Sequence, residues 1–89
     1  MLQATISFGE ALSLLNAGKS VSRSGWNGKG LFITMQIPDE NSKMTRPYLY
    51  ITTPAGSTNQ FGGINEKEQR VPWLASQTDI LATDWYAIN

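Results

Sequence analysis

Apolar residues recur at helical spacing near the start of the chain, at Phe8, Ala11, Leu12 and Leu15. Ser7-Phe8-Gly9-Glu10 just ahead of them reads as a capping box, with Ser7 as N-cap and Glu10 reaching back to its backbone N–H. Gly18 suits the left-handed residue that ends a helix, and Lys19 follows near the negative pole, so the pattern predicts a helix over residues 8–17. Val21-Ser22-Arg23 is a short extended run, and Asn27-Gly28 in the glycine-rich stretch 25–30 is a hairpin turn signal. From Leu31 to Ile37 the period becomes two: Leu31, Ile33, Met35 and Ile37 share one face, and Phe32, Thr34 and Gln36 the other. Residues 38–46 are polar and predict a loop, and Tyr48–Thr53 predicts a second strand closed by Pro54-Ala55-Gly56. Residues 57–69 are polar, carry Gly62-Gly63, and predict an excursion between strands. Val71-Pro72-Trp73 restarts extended structure, and Pro72 confines it to an edge or a strand end. Ser76-Gln77-Thr78-Asp79 is a second capping signature, with Ile80, Leu81 and Trp85 as the apolar side of its short helix. Trp85 to Ile88 predicts a last strand. The order predicts an α+β domain: a small antiparallel β-sheet with one N-terminal helix and one short C-terminal helix.

Composition narrows what such a domain does. Eighty-nine residues make one domain, 1–89, that buries only about 60–65% of its unfolded surface, and self-association adds stability at this size. There is no cysteine, hence no disulfide or thiolate metal site, and no histidine, the commonest general base at neutral pH. Seven basic residues balance seven acidic ones, which argues against a DNA-binding or anionic-membrane surface. No apolar run approaches the roughly 20 residues of a membrane span, and the opening MLQATISFGE lacks the basic and apolar regions of a signal peptide, so the expected compartment is a cytoplasm.

Catalytic motifs are missing. No serine sits in a G-x-S-x-G elbow, and the glycines at 25, 28 and 30 have the wrong spacing for a P-loop or a dinucleotide fingerprint. Asp79 and Asp84 form the one carboxylate pair worth weighing. Five residues apart on a short helix they would not share a face. They read as a cap and a surface charge, with ligand contact or an acid–base or metal pair as alternatives.

The three tryptophans stand in short polar contexts, RSGWNGKG, VPWLASQTD and ATDWY. Trp85, beside Tyr86 in a strand, reads as core. Trp26 lies in a glycine-rich turn near Arg23 and Lys29 and reads either as a plug for the core or as a platform for a planar base. Trp73 precedes a helix start carrying Ser76, Gln77 and Thr78, where free N–H donors suit phosphate or ribose oxygens. No acid occurs between Glu10 and Asp39, while Lys19, Arg23 and Lys29 do, so a neutral chain can keep a locally basic pocket. These features point to a nucleotide-like ligand.

The same segments carry a family resemblance. SFGEALSLLNAGKSVSRSGWNGKG, a strand region beginning at Pro47-Tyr48, and VPWLASQTDILATDWY resemble a small phage and prophage family, the second type of Thoeris anti-defence protein. The match covers most of the chain, with residues 38–46 and 57–69 as variable loops. The resemblance implies a sponge that binds, without cleaving, the cyclic ADP-ribose isomer made by a bacterial TIR immune enzyme. It also implies a homotetramer with pockets between subunits, acting in the cytoplasm of the infected bacterial host, with no cofactor, metal or catalytic residue. Carried onto the matching motif, Trp26 and Trp73 supply the adenine platform, Asn27, Gln77 and Asp84 meet ribose, and Arg23, Ser76 and Thr78 meet the phosphates. Some relatives also bind other cyclic nucleotides at other sites.

Two other classes compete with the sponge. One is an oligomeric interaction or structural module that uses the same aromatics in its core. The other is a nucleotide-degrading enzyme, disfavoured by the lack of histidine and of a clustered carboxylate set.

Overall fold

A computed structural model describes residues 4–26, 30–56, 64 and 66–88. The first helix, α1, spans Phe8–Asn16. Both halves of its capping box are made: the Ser7 hydroxyl accepts from the Glu10 N–H at 3.2 Å, and the Glu10 carboxylate accepts from the Ser7 N–H at 3.1 Å. Gly18, at φ +89°, turns the chain out of the helix. Its N–H reaches the Leu15 carbonyl while the Lys19 N–H reaches that of Leu14, each at 3.0 Å. That is the paired bonding by which a left-handed residue satisfies the last carbonyls of a helix.

Five strands follow: β1 (Val21–Arg23), β2 (Phe32–Gln36), β3 (Tyr48–Thr53), β4 (Gln69–Pro72) and β5 (Trp85–Ala87). A second helix, α2 (Gln77–Leu81), precedes β5. The sheet order is β4-β3-β2-β1-β5 and every pairing is antiparallel. The chain is therefore α+β, and β4 lies on the edge where Pro72 placed it. The outer side of β5 is met by Ile6, whose N–H and carbonyl exchange bonds with Trp85 at 2.8 and 3.2 Å. β4 begins at Gln69, ahead of the expected Val71, because pairing with Thr53 extends its ladder. β2 stops at Gln36, and Ile37 is 63% exposed beyond it. The Asn27-Gly28 turn and most of the 57–69 excursion lie outside the described residues.

Ala11 and Leu15 from α1 close over Val21, Ile33 and Trp85, and these five are the buried apolar centre. The helix lies over β5, β1 and β2, and not over β3 and β4. Alternation along the strands puts Ile33, Ile51 and Val71 on the helix side, with Phe32, Thr34, Tyr50, Thr52, Arg70 and Pro72 on the other. Val71, beyond the reach of α1, is 49% exposed.

α2 departs from expectation. Ile80 and Leu81 face outward, 48% and 77% exposed, and the residue the helix buries is Asp79. The cause is a set of donors waiting underneath, described below. Trp85 is fully buried, as its strand pattern implied.

The Thr52 hydroxyl, on the face opposite α1, is buried and finds no hydrogen-bond partner among the described residues. An orphaned buried hydroxyl costs about 1–3 kcal/mol of desolvation. Thr52→Val keeps the branched shape and should raise stability by about 1 kcal/mol, read as a higher urea midpoint at unchanged slope.

Candidate functional site

β1 ends at Arg23, and antiparallel pairing sets Arg23 beside Trp85 of β5. The chain then turns, with the Trp26 N–H on the Arg23 carbonyl at 3.3 Å and the Ser24 N–H on the Asp84 carbonyl at 3.1 Å. This turn carries Trp26 back over the sheet, where its ring meets Trp85 edge-on, centroids 5.3 Å apart and planes at 78°. Trp73 follows β4, its N–H held by the Leu49 carbonyl at 3.0 Å. Its centroid lies 6.3 Å from Trp26 and 6.0 Å from Trp85, both edge-to-face. Phe8 of α1 closes the cluster against Trp85 at 5.3 Å and Trp73 at 6.2 Å. Edge-to-face contacts match ring quadrupoles and add about 0.5–1.5 kcal/mol per pair beyond burial. Trp85 is core, while Trp26 and Trp73 are half-buried. Trp26 thus packs against the core and still reaches the surface.

Beside the rings lies a charged triad. The Arg23 guanidinium donates from Nη1 to Asp79 Oδ1 and from Nε to Asp84 Oδ1, each at 2.8 Å. The side chains of Arg23 and Asp79 are 14% and 13% exposed, and that of Asp84 28%. Asp79 is also the third residue of α2 and completes its capping box: Oδ2 accepts from the Ser76 N–H at 3.1 Å and the Ser76 hydroxyl at 2.9 Å. Its Oδ1 further accepts from Trp26 Nε1 at 3.2 Å, and its backbone carbonyl from Trp85 Nε1 at 3.0 Å. One acid therefore holds an arginine, a helix start and the polar edges of two tryptophans. Asp84 Oδ2 accepts from the Gly25 N–H at 2.7 Å. A Cβ on Gly25 would sit 2.7 Å from that oxygen, so the glycine permits this close approach.

Both carboxyls are acidified. Burial pushes Asp79 up, but the Ser76 backbone N–H, the Arg23 guanidinium, the Ser76 hydroxyl and the Trp26 indole together hold it below the usual range. The Arg23 hydrogen bond is the largest influence on Asp84 and outweighs its desolvation, so it too is lowered. The Asp84 hydrogen bond is in turn the largest of the influences that raise Arg23, desolvation opposing it.

The structure thus gathers Arg23, Trp26 and Ser76 on Asp79, with Asp84 joined through Arg23 and Trp73 through the Trp26 ring. Asp84 is corrected from a surface charge to a partner of Arg23. It lies beyond the end of α2, so the helical spacing that separated it from Asp79 does not apply. Gln77 and Thr78 are exposed on the first turn of α2, and Ser76 is its N-cap. Arg23, expected to meet phosphate, makes both its ion pairs within the chain. Asn27 lies outside the described residues. The capping role of Asp79 was expected, but its hold on Arg23 and Trp26 and the role of Gly25 went unread, because those partners are remote in sequence. Among the described residues no three potential metal ligands come together.

Residues 6–88 match the sequence profile of the Thoeris anti-defense 2-like domain. The chain belongs to the Thoeris anti-defense 2-like family. It is also similar to the Thoeris anti-defense 2 protein of Bacillus phage SP01, 37% identical over 91 residues, which take in 99% of this chain and all of that protein. The family match opens at Ile6, which bridges Trp85, and closes at Ile88, whose N–H bonds the Ser20 carbonyl. It therefore spans the whole sheet and the tryptophan cluster.

Two outcomes are expected for the triad. Arg23→Met leaves Asp79 with a charge and no cation, and should destabilise the fold by about 3 kcal/mol, measured by urea denaturation. Both carboxyls titrate below their unfolded values, so their contribution is fully present above about pH 4 and lost as pH falls through the lowered folded values. Stability should be nearly flat from about pH 7 to pH 5 and fall below about pH 4. Asp84→Asn should be less stable at neutral pH and less sensitive to acid, read from denaturation midpoints across that range.

Proposed function

We propose that this chain inhibits Thoeris defence by sequestering the cyclic ADP-ribose isomer made by a TIR enzyme, in the cytoplasm of the infected bacterium and without cleaving it. Family membership supports the target. The half-buried Trp26–Trp73 pair carries the binding mode, for two adjoining aromatic rings at the surface, Trp26 tied to the buried Asp79 and Trp73 packed against Trp26, offer stacking to an adenine base. Gln77, Thr78 and Ser76, exposed on and before the first turn of α2, supply hydroxyl and amide groups for ribose and phosphate, and Asn27, next to Trp26 in sequence, is a further candidate for ribose. Two carboxylates against one guanidinium make the triad net negative, which disfavours a pyrophosphate directly upon it. Arg23 and Asp84 accordingly serve by holding the turn that carries Trp26, and Asp84 reaches ribose hydroxyls from the triad's more exposed side.

The proposal includes self-association into a homotetramer. Leu74 is 91% exposed, Leu81 77%, Val71 49% and Ile80 48%, large apolar side chains that contact between copies would remove from water. The same residues favour the second reading, a protein-interaction module of a phage.

One experiment separates the readings. Protein incubated with the TIR product and then heat-denatured should release the product intact. Altered product identifies an enzyme, and no uptake identifies a module. Trp26→Leu keeps apolar bulk and removes the ring, so it should weaken capture by about ten- to a hundredfold while light scattering still reports the same assembly. Unchanged affinity in a folded variant counts against a platform at Trp26.

A further inference from the structure

The opposite side of the sheet carries a different feature. Where β2, β3 and β4 run side by side, a groove of about 180 Å³ opens between Gln36, Tyr48, Tyr50, Arg70 and Pro72, and it reaches Val71 on the edge strand, a residue whose side chain alternates to the helix side. The register explains its shape: Gln36 pairs with Tyr48, and Tyr50 with Pro72, so two phenol rings and a pyrrolidine ring stand in adjacent rows. These are flat, stiff walls, suited to a planar guest. The volume lies below the roughly 300–1,000 Å³ of sites that enclose drug-sized ligands, so the groove takes a single ring system with one substituent.

Its polar groups define that substituent. Arg70 pairs with Glu68 at 2.7 Å, but the two side chains are 66% and 50% exposed. Such a pair contributes little and exchanges readily, which leaves the guanidinium able to take a carboxylate or phosphate in the same fork geometry. Gln36 offers both donor and acceptor to a ring edge. The groove involves neither the tryptophans nor the triad, which lie on the helix side of the sheet.

We propose that this groove is a second ligand site, independent of the tryptophan cluster, for a planar aromatic ring bearing one anionic group. An aromatic carboxylate and a nucleoside monophosphate share that chemistry.

Nuclear magnetic resonance titration of the full chain with 4-hydroxybenzoate, adenosine 5′-monophosphate, adenosine and inorganic phosphate tests the site. A ring and one anion at an open groove imply a Kd of about 1 mM. At least one of the two ring-bearing anions should saturably shift Gln36, Tyr48, Tyr50 and Arg70, and the tighter of them identifies the source. Adenosine and phosphate alone should bind more weakly. Arg70→Gln, at an exposed position that leaves the fold intact, should weaken the anionic probes about tenfold and leave adenosine unchanged. Tyr48→Leu retains bulk and should weaken every ring-bearing probe. The proposal is overturned if no probe gives saturable shifts up to about 10 mM. It is equally overturned if Arg70→Gln binds as the parent does, or if the shifts fall on the Trp26 and Trp73 indoles.

Discussion

The guanidinium of Arg23 is the joint on which the helix-side architecture depends. It ties the end of β1 to α2 through Asp79 and to the approach of β5 through Asp84. Without it, Asp79 would be a buried charge held only by hydrogen bonds, and such a group either neutralises or leaves the interior. Were Asp79 to leave, Trp26 would lose its acceptor and α2 half of its capping box. A single cation thus coordinates a helix start, a turn and an aromatic cluster that local preferences alone would leave loosely related.

That arrangement divides the sheet. Over β5, β1 and β2 the helix side is closed by α1, and Ala11, Leu15, Val21, Ile33 and Trp85 are dry. Over β3 and β4 no helix lies among the described residues, and Leu49, Ile51 and Val71 there stay partly wet. The short α2 turns Ile80 and Leu81 to solvent because its inward position is taken by an acid with four side-chain or backbone donors. Polar organisation beneath α2 and apolar exposure above it are two sides of one choice.

Features set by neighbouring residues were legible in the sequence. Both capping boxes close as Ser7/Glu10 and Ser76/Asp79 predicted, since each is decided within four residues. The run Tyr48–Thr53, closed by Pro54-Ala55-Gly56, is a strand of those bounds, and Pro72 marked the edge. What escaped was set at long range. The partners of Arg23 lie 56 and 61 residues away, and no periodicity links them. Asp84 read as a surface charge because it was placed on the short helix, on a different face from Asp79. Ile80 and Leu81 read as inward because apolar residues on a short helix usually turn that way. The gathering of Trp26, Trp73 and Trp85 followed from their setting in β-turns and strand ends only once the strand order was known.

The bridge between Ile6 and Trp85 has a bearing on how the molecule comes into being. The residue at the centre of the core is contributed by an outer strand whose neighbours are β1 and the segment before α1. A nascent chain can form α1 and the β2–β3 hairpin early, yet the core they share lacks its largest side chain until residue 85 has left the ribosome. Folding is then governed by closure of a loop that includes nearly everything described, a slow step for so small a domain. Until it closes, an uncovered helix and an unpaired β1 edge are displayed together, and chaperones would find their binding surface there.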